Sequence, residues 1–373
     1  MTTYTIYDVT VSVLTPLHIG SGKDLLNEYD YAIRDGRTWR LNEGALLDAQ
    51  DVEDSDTAAL LGRTPPAQLL QEGDFLRPDS GFFRYVLAGM PRSQAAGAQL
   101  REQIKDAFDR PYLPGSSFKG ALRTALAWNA WRIRGMRADI GKFGRRRQWA
   151  GQPLEREIFG RGPNQDFLRA LHVSDSAPVG TDRLLILNAS VIGSGGKAGA
   201  PIEMEAIAPD TQFRLTIKID DALFSDWAIR HQLRLEGKDL LTTLPRAVQS
   251  HSLAFARREL AWFKGISTAR QVAGFYQKVV EARLRSNRFL ICLGWGTGWT
   301  SKTFGPLLQE ELGLMDHILR EFRLGRGHPR AGDPFPKSRR AVIQVARDSQ
   351  GRLQENPVTP FGWCLVEMKE RRS

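Results

Sequence analysis

Residues 294–303, which read GWGTGWTSKT, combine three glycines, one lysine and several hydroxyl side chains within ten positions. Accessible glycine amides together with lysine and hydroxyl groups are the usual donors of a phosphate-binding loop. In the P-loop of nucleotide triphosphatases a glycine directly precedes the lysine, whereas Ser301 precedes Lys302 here. The stretch Gly20–Lys23 fails the same pattern, because Asp24 replaces the hydroxyl residue after the lysine. The sequence therefore disfavours a nucleotide triphosphatase.

The glycine-rich stretch leaves two interpretations open. One is a glycine hairpin whose two tryptophans, Trp295 and Trp299, belong to the core. The other is a loop that approaches an RNA strand closely, because glycine lacks a Cβ and tryptophan offers a flat face to a base. On the second interpretation we expect the glycine amides and Lys302 to contact phosphates and the three hydroxyl groups of residues 300–303 to donate to the RNA.

A second candidate anion site lies in Gly115–Arg123, which reads GSSFKGALR. Apolar residues recur at helical spacing over residues 118–134, and Pro114 with the three residues after it predicts the helix start and its cap. A helix N-terminus carries unpaired amides and partial positive charge, and Lys119 and Arg123 share one face. The stretch suits an RNA phosphate, although a capped helix with two solvated cations has the same pattern.

The charge balance favours a polyanionic partner. Lysine and arginine outnumber the acids 52 to 42, which gives a net charge of +10 and a pI near 9.8. Basic clusters recur at residues 132–147, 323–340 and 369–372, and each alone is typical of a solvated loop. Three such clusters beside two glycine-rich segments favour a polyanion as the partner.

Catalytic and metal-binding patterns are scarce. The six histidines show no HExxH motif, no HD pair and no ligand spacing, and Cys292 and Cys364 lie in apolar segments typical of buried thiols. His18, beside the first glycines, could act as a general base, bind a phosphate or stabilise a turn. Asp30 and Asp35 could assist RNA cleavage but have no recognisable partner base. We therefore predict no metal, no cofactor and no disulfide.

The composition is that of a globular protein, with 42% hydrophobic and 25% charged residues, and the length of 373 residues favours two domains. The sequence contains neither a secretory signal nor an apolar run of membrane-spanning length. We expect a cytoplasmic protein that binds no membrane.

Periodicity predicts a chain that mixes strands and helices. Residues 4–15 alternate with Val9, Val11 and Val13 on one face, as in a half-buried strand. Further strands are predicted at residues 38–41, 82–87, 184–192, 211–219, 289–293, 341–345 and 363–367. Helical sequence is predicted at 118–134, at 255–285, where only glycines interrupt it, and at 306–324. Because helix-forming residues dominate after Asp220, we divide the chain into domains 1–220 and 221–373.

Taken in order, these stretches resemble the RAMP superfamily of CRISPR-associated proteins. Residues 15–22 (TPLHIGSG) with residues 30–33 (DYAI), and residues 112–124 (YLPGSSFKGALRT), resemble superfamily signatures, and residues 294–303 are similar to its glycine-rich loop. Residues 336–340 (PKSRR), followed by Gly362 and Trp363, resemble the C-terminal signature of the family of fifth subunits of the Csm (type III-A) complex.

The resemblance implies an α+β fold of two RRM-like ferredoxin domains with antiparallel sheets and a helix-rich second half. It implies a noncatalytic subunit that binds the 3′ portion of the crRNA and caps the filament of third-subunit copies beside the small helical subunit. Target RNA would be contacted only indirectly, and host nucleases would trim the crRNA 3′ end. The aromatic motif of sequence-reading RRM domains is absent, so binding is expected mainly through phosphates and shape.

Two alternatives remain open within the same superfamily. One is a metal-independent endoribonuclease that cleaves repeat RNA with His18 and nearby lysines. The other is a RAMP subunit of a different type III complex.

The residues predicted to bind RNA come from the first glycine segment, the helix start, the basic clusters and the glycine-rich loop. They are His18, Gly20, Ser21, Gly22, Ser116, Ser117, Lys119, Arg123, Arg145, Arg146, Arg147, Gly294, Gly296, Gly298, Trp299, Ser301, Lys302, Lys337, Arg339 and Arg340. No residue is assigned a catalytic role.

Overall fold

The computed structural model describes residues 4–50, 59, 61–144, 146–196, 198–303, 305–311, 313–324, 335–347, 350 and 353–371. Three parts of the predicted basic clusters, Arg145, residues 325–334 and Arg372, lie outside the described residues. The strands are β1 (Thr5–Val13), β2 (Gly20–Leu26), β3 (Tyr31–Arg34), β4 (Arg37–Leu41), β5 (Phe83–Ala88), β6 (Gln99–Gln103), β7 (Leu171–Val173), β8 (Leu184–Gly193), β9 (Ala198–Ile207), β10 (Gln212–Ile219), β11 (Arg288–Cys292), β12 (Ser338–Arg347), β13 (Leu353–Thr359) and β14 (Trp363–Glu370).

The α-helices are α1 (Glu43–Asp48), α2 (Gly115–Ile133), α3 (Gln152–Phe159), α4 (Asp226–Arg230), α5 (Lys238–Thr242), α6 (Leu244–Lys264), α7 (Arg270–Glu281), α8 (Trp299–Lys302), α9 (Gly305–Leu308) and α10 (Leu314–Glu321). Short 3₁₀ segments lie at Pro66–Leu69, Glu72–Leu76, Ile140–Lys142, Arg147–Trp149, Phe167–Ala170, Thr181–Arg183, Asp221–Phe224 and Ser267–Ala269. None of the helices in the described ranges is long and apolar enough to cross a lipid bilayer.

One sheet has the strand order β11-β14-β1-β10-β7, with every neighbouring pair antiparallel. β1 occupies its centre because Val9, Val11 and Val13 alternate along the strand and are all buried, as predicted. Its neighbours β10 and β14 come from opposite sides of residue 220. This sheet thus contains strands from both predicted domains, and the domain boundary near residue 220 stays a prediction.

The second sheet has the order β2-β6-β9-β8-β5-β4-β3, and β12 joins it by pairing with both β8 and β13. The pairing is mostly antiparallel, with single parallel contacts between β5 and β8 and between β6 and β9. Asp35 and Gly36 connect β3 to β4 with φ values of +50° and +71°, the conformation of a tight hairpin turn. Two mainly antiparallel sheets with packed helices confirm the predicted α+β class.

The long helices α2 and α6 pack against each other, and α6 also contacts β11. Phe118 and Leu122 of α2 are fully buried in the cluster that contains Val9 and Val11 of β1. Helical spacing therefore places the apolar stripe of α2 in the main core. The other side of this helix is free to form part of a surface site.

Several element boundaries differ from the prediction. The predicted helix 255–285 is divided into α6 and α7 at Gly265, and residues 306–324 divide into α9 and α10. Pro16 and the glycines at 20 and 22 predict a turn or loop after the first strand, but β2 already begins at Gly20. Six strands were not predicted: β2, β3, β6, β7, β9 and β13. Their strand structure depends on pairing with other strands, such as that of β9 with β8 and of β13 with β12, which no local pattern reveals.

Candidate nucleic-acid interface

A groove of about 430 Å³ lies where the start of β2, one face of α2, the end of β11 and the glycine-rich loop meet. Its lining in the described part of the chain includes one cation, Lys302, and no carboxylate. The lining residues are Ile19, Gly20, Ser117, Gly120, Ala121, Thr124, Cys292, Leu293, Gly294, Trp295, Ser301 and Lys302. The fold thus brings together three of the segments that the sequence singled out.

The glycine-rich loop is held against the chain segment that precedes β2. Gly294 has a φ of +73°, and a Cβ on it would lie 2.4 Å from the carbonyl oxygen of His18. The amide of Trp295 donates to that same carbonyl at 2.8 Å. Gly296 has a φ of +85°, and its Cβ would lie 2.7 Å from the ring of Phe361. Close approach to the protein's own backbone and side chains therefore accounts for these two glycines.

Gly298 differs from the other two glycines. Its φ of +84° also favours glycine, but the nearest atom to a Cβ there is the Thr300 hydroxyl at 4.0 Å. The surface beside Gly298 is therefore open. Directly after it, α8 begins at Trp299, whose ring meets the ring of Phe335 edge-on at 4.8 Å.

The hydroxyl groups of this loop point inward, which corrects the expectation that they donate to RNA. Ser301 Oγ donates to the carbonyl of Thr297 at 3.0 Å, and Thr303 Oγ1 donates to the carbonyl of Trp299 at 2.9 Å. Thr300 Oγ1 donates to Glu259 at 3.4 Å. Each hydroxyl has a single proton, so these donors are used within the protein.

Lys302 is the charged group of the groove. Its side chain is exposed at the end of α8, and no described carboxylate forms an ion pair with it. Partial burial lowers the pKa of its ammonium group. An ammonium that is partly desolvated and lacks a counter-ion is stabilised by an incoming phosphate.

The face of α2 that lines the groove consists of small residues: Ser117, Gly120, Ala121 and Thr124. Glycine inside a helix costs about 1 kcal/mol relative to alanine. No protein atom outside the helix backbone lies within 4 Å of a Cβ built on Gly120. The space beside this glycine is therefore open to a ligand.

Lys119 and Arg123 do not face the groove. They lie on the other side of α2, where Lys119 Nζ donates to the carbonyls of Leu168 and Leu171 at 2.9 and 2.6 Å. Arg123 pairs with Glu155 at 3.0 Å and with Asp166 at 3.1 Å. The expectation that these cations are open to an anion is corrected, because the segment 155–171 already supplies their acceptors.

The start of α2 also has its own anion. The amide of Gly115 donates to Asp175 Oδ1 at 2.7 Å, and a Cβ at this position would lie 2.4 Å from the carbonyl oxygen of Val173. The predicted serine cap is therefore wrong, since Pro114 is the N-cap residue and a carboxylate from a distant segment satisfies the amide. Ser116 is exposed, and Ser117 lines the groove.

His18 lies beneath the groove and is buried, with a relative exposure of 2%. Its Nδ1 donates to the carbonyl of Glu205 at 2.7 Å. Desolvation, with smaller effects from Arg101 and Lys105, lowers its pKa to about 4. The ring is therefore neutral at physiological pH. The prediction that His18 contacts RNA is corrected because the ring is buried, which the glycines beside it in the sequence do not reveal.

The carboxylate of Glu205, on β9, is the centre of a buried hydrogen-bond network beneath His18. It accepts hydrogen bonds from Tyr85 Oη at 2.8 Å and from the amide of Gln103 at 3.0 Å, and it pairs with Lys105 at 2.6 Å. A buried charge of this kind is stable only when it is paired and hydrogen-bonded. The network holds β6 and β9 together. Because His18 bonds to the backbone of Glu205, the network also holds the segment at the start of the groove.

The remaining residues of the first glycine segment lie at the edge of the groove. Ser21 Oγ donates to Glu102 at 2.7 Å, and Gly22 is exposed with a φ of +91°.

Asp30, one of the two carboxylates considered for catalysis, accepts from the amide of Leu26 at 2.8 Å and pairs with Arg40 at 3.3 Å. These contacts give Asp30 a structural role in the turn before β3.

The basic residues near the C-terminus divide into two kinds. Arg339 is mostly buried, and its Nε donates to both carboxylate oxygens of Glu259 at 2.8 and 2.7 Å. Its guanidinium therefore already has a counter-ion within the protein, and its contact with RNA stays a prediction. Lys337 and Arg340 are exposed. Arg146 and Arg147 are exposed as well, but they do not line the groove.

A second cavity, of about 210 Å³, is lined in part by the glycine-rich loop. Gly296, Gly298, Trp299, Arg339 and Arg340 contribute to its lining. No group of three or more histidine, cysteine, aspartate or glutamate side chains in the described ranges could hold a metal ion. What this region offers a ligand is a cationic, glycine-rich surface.

The RAMP superfamily model matches residues 10–327, which includes both glycine segments and the whole of α2. The chain belongs to the RAMP superfamily. Among curated relatives of this RAMP protein, the CRISPR system Cms protein Csm5 of Methanocaldococcus jannaschii is 24% identical over 312 residues, which cover 81% of this chain and 73% of the relative. The resemblance that the motifs predicted is thereby confirmed.

Solved structures agree with the sequence comparison. A chain of the cryo-EM structure of the Csm–crRNA–target RNA ternary complex in a type III-A CRISPR–Cas system has a TM-score of 0.73 and 26% identity, covering 97% of this chain and 100% of that chain. The crystal structure of T. onnurineus Csm5 has a TM-score of 0.65 and 25% identity, covering 96% and 99%. This RAMP protein therefore shares its whole architecture with the Csm5 type.

Proposed function

We propose that this protein is a noncatalytic crRNA-binding subunit of a type III-A Csm effector complex. The observation that carries the proposal is the groove in which Gly20, the small-residue face of α2, Gly294 and Lys302 meet. A lining without a carboxylate among its described residues, with open space beside Gly120 and one ammonium without an ion pair, suits a phosphodiester backbone. The similarity to Csm5 proteins and to a chain of a Csm–crRNA–target RNA complex supports the same assignment.

Within that complex, we propose that the protein binds the 3′ portion of the crRNA and caps the filament of third-subunit copies. Its contact with target RNA is indirect, and host nucleases perform the trimming of the crRNA 3′ end. The burial of His18 supports a noncatalytic role, because a general base must reach the proton that it removes. The engagement of Asp30 by Arg40 and by a backbone amide supports it too.

The first experiment measures the affinity of the purified protein for a short fluorescein-labelled oligouridylate RNA as the salt concentration rises. If about five phosphates are neutralised, the logarithm of affinity falls with the logarithm of salt with a slope of roughly −3.5. Lys302→Gln makes this slope shallower by about 0.7, whereas Lys278→Gln, which removes an exposed lysine of α7, leaves it unchanged. A slope near zero for the native protein contradicts the proposal.

The second experiment purifies the tagged protein from its host at physiological salt and identifies the bound RNA and proteins. Spacer-containing RNAs with a common 5′ tag and ragged 3′ ends, together with Csm subunits, are the expected result. If the bound proteins are subunits of a different type III complex, the protein belongs to that complex and not to a Csm complex. Repeat fragments with one uniform cleavage end and no partner proteins would instead support the nuclease, and His18→Ala would then have to abolish the cleavage.

A further inference from the structure

The indole of Trp295 holds two arginine side chains from distant strands. The guanidinium carbon of Arg101, on β6, lies 4.9 Å from the ring centroid, and that of Arg340, on β12, lies 5.1 Å from it. Edge contacts with His18 and Phe361, at centroid separations of 6.3 and 5.6 Å, hold the ring in place. The indole is therefore a fixed platform for two cations.

These two guanidinium groups lack a counter-ion in the described part of the chain, because no described carboxylate forms an ion pair with Arg101 or Arg340. A tryptophan face attracts a cation by about 0.5–2 kcal/mol, which offsets only part of the repulsion between like charges. Desolvation, followed by the charge of Arg101, lowers the pKa of Arg340. The surroundings of Trp295 thus carry a surplus of positive charge that an anion would neutralise.

The position of the cluster relates it to both cavities. Trp295 lines the groove, whereas Arg340 lines the second cavity together with Gly298. Because Arg340 also lies over the Trp295 ring, the arginine pair connects the two cavities. The backbone at Gly298 is open, so an RNA strand that reaches the second cavity can lie close to the loop.

We propose that Arg101 and Arg340, supported by Trp295, form a clamp for a single phosphodiester group of single-stranded RNA. This inference rests on the proposed RNA-binding function and extends it to Arg101, which the sequence did not single out. Guanidinium groups bind phosphate oxygens through two parallel hydrogen bonds, which a lysine cannot reproduce. Two such groups that share one phosphate fix the path of the strand over the loop.

The test compares Arg101→Gln, Arg340→Gln and the double variant in the RNA-binding assay described above. Each single variant is expected to weaken binding about tenfold. The double variant is expected to bind little more weakly than either single variant, because one phosphate is shared. Its salt slope becomes shallower by about 0.7. Arg340→Lys keeps the slope but loses affinity, since the charge remains and the fork geometry does not.

Arg37→Gln is the matched control, because Arg37 is an exposed arginine on β4, near the opposite end of the second sheet from β6. Its affinity is expected to equal that of the native protein. Native affinity in both single variants overturns the clamp while leaving the proposed function intact, provided that Lys302→Gln still weakens binding. If the loss of RNA affinity in the double variant equals the product of the two single losses, the two arginines do not share one phosphate.

A separate measurement judges the clamp if the native protein binds no RNA, a result that overturns the proposed function. Inorganic pyrophosphate is then titrated while the thermal unfolding midpoint is recorded. The clamp predicts a rise in the midpoint of the native protein that is absent in the Arg101→Gln, Arg340→Gln double variant. An unchanged native midpoint overturns the clamp, and circular dichroism confirms that both proteins are folded.

Discussion

Replacing Gly294 with alanine tests the contact that joins the glycine-rich loop to the segment before β2. The φ of +73° alone costs an alanine about 1–2 kcal/mol. The added Cβ would lie 2.4 Å from the carbonyl oxygen of His18, and the backbone shift that relieves this overlap costs about 1–3 kcal/mol more. We therefore expect Gly294→Ala to lower the free energy of unfolding by about 2–5 kcal/mol.

Gly22→Ala provides the comparison, because Gly22 has a φ of +91° but no atom within 4 Å of a Cβ. This variant should lose only the conformational part, about 1–2 kcal/mol. Urea unfolding followed by circular dichroism measures both values, and equal slopes against urea confirm that the difference lies in the native state. RNA affinity should fall in Gly294→Ala because the same loop carries Trp295 and Lys302 into the groove. If Gly294→Ala is no less stable than Gly22→Ala, the contact with His18 does not hold the loop.

Three further outcomes follow from the buried polar groups. Lys119→Met should lower the free energy of unfolding by about 1–3 kcal/mol while leaving RNA affinity unchanged, and a weakened affinity in the folded variant would place this lysine at the RNA. Glu259→Gln leaves Arg339 buried without its counter-ion and should cost about 3–5 kcal/mol in urea unfolding, of which Arg339→Met in the same chain should restore a part. The pKa of His18 is about 4 in the folded chain and near 6.5 when unfolded, so the unfolded state binds more protons in between, and stability should fall by up to about 3 kcal/mol from pH 6.5 to pH 4. His18→Gln should show a smaller fall, and an identical pH profile would refute this assignment.

Local patterns predicted much of the secondary structure. β1 and its buried valines follow from alternation, and the apolar stripe of α2 follows from helical spacing, because both periods depend only on backbone geometry. β9 and β13 escaped prediction because their strand structure depends on distant partners. The sequence indicated that only glycines interrupt residues 255–285, and Gly265 is where α6 ends.

The sequence by itself determined the membership of the RAMP superfamily and the segments that form the groove. Gly294 and Gly296 mark the glycine-rich loop, since a Cβ there would overlap the carbonyl of His18 and the ring of Phe361. Only the tertiary structure decided which polar groups are available to a ligand. Lys119 has carbonyl acceptors from residues 168 and 171, Arg339 has Glu259, and Arg101 comes beside Trp295 across the fold. The availability of a charge depends on the groups that the fold places around it, and those groups are distant in the chain.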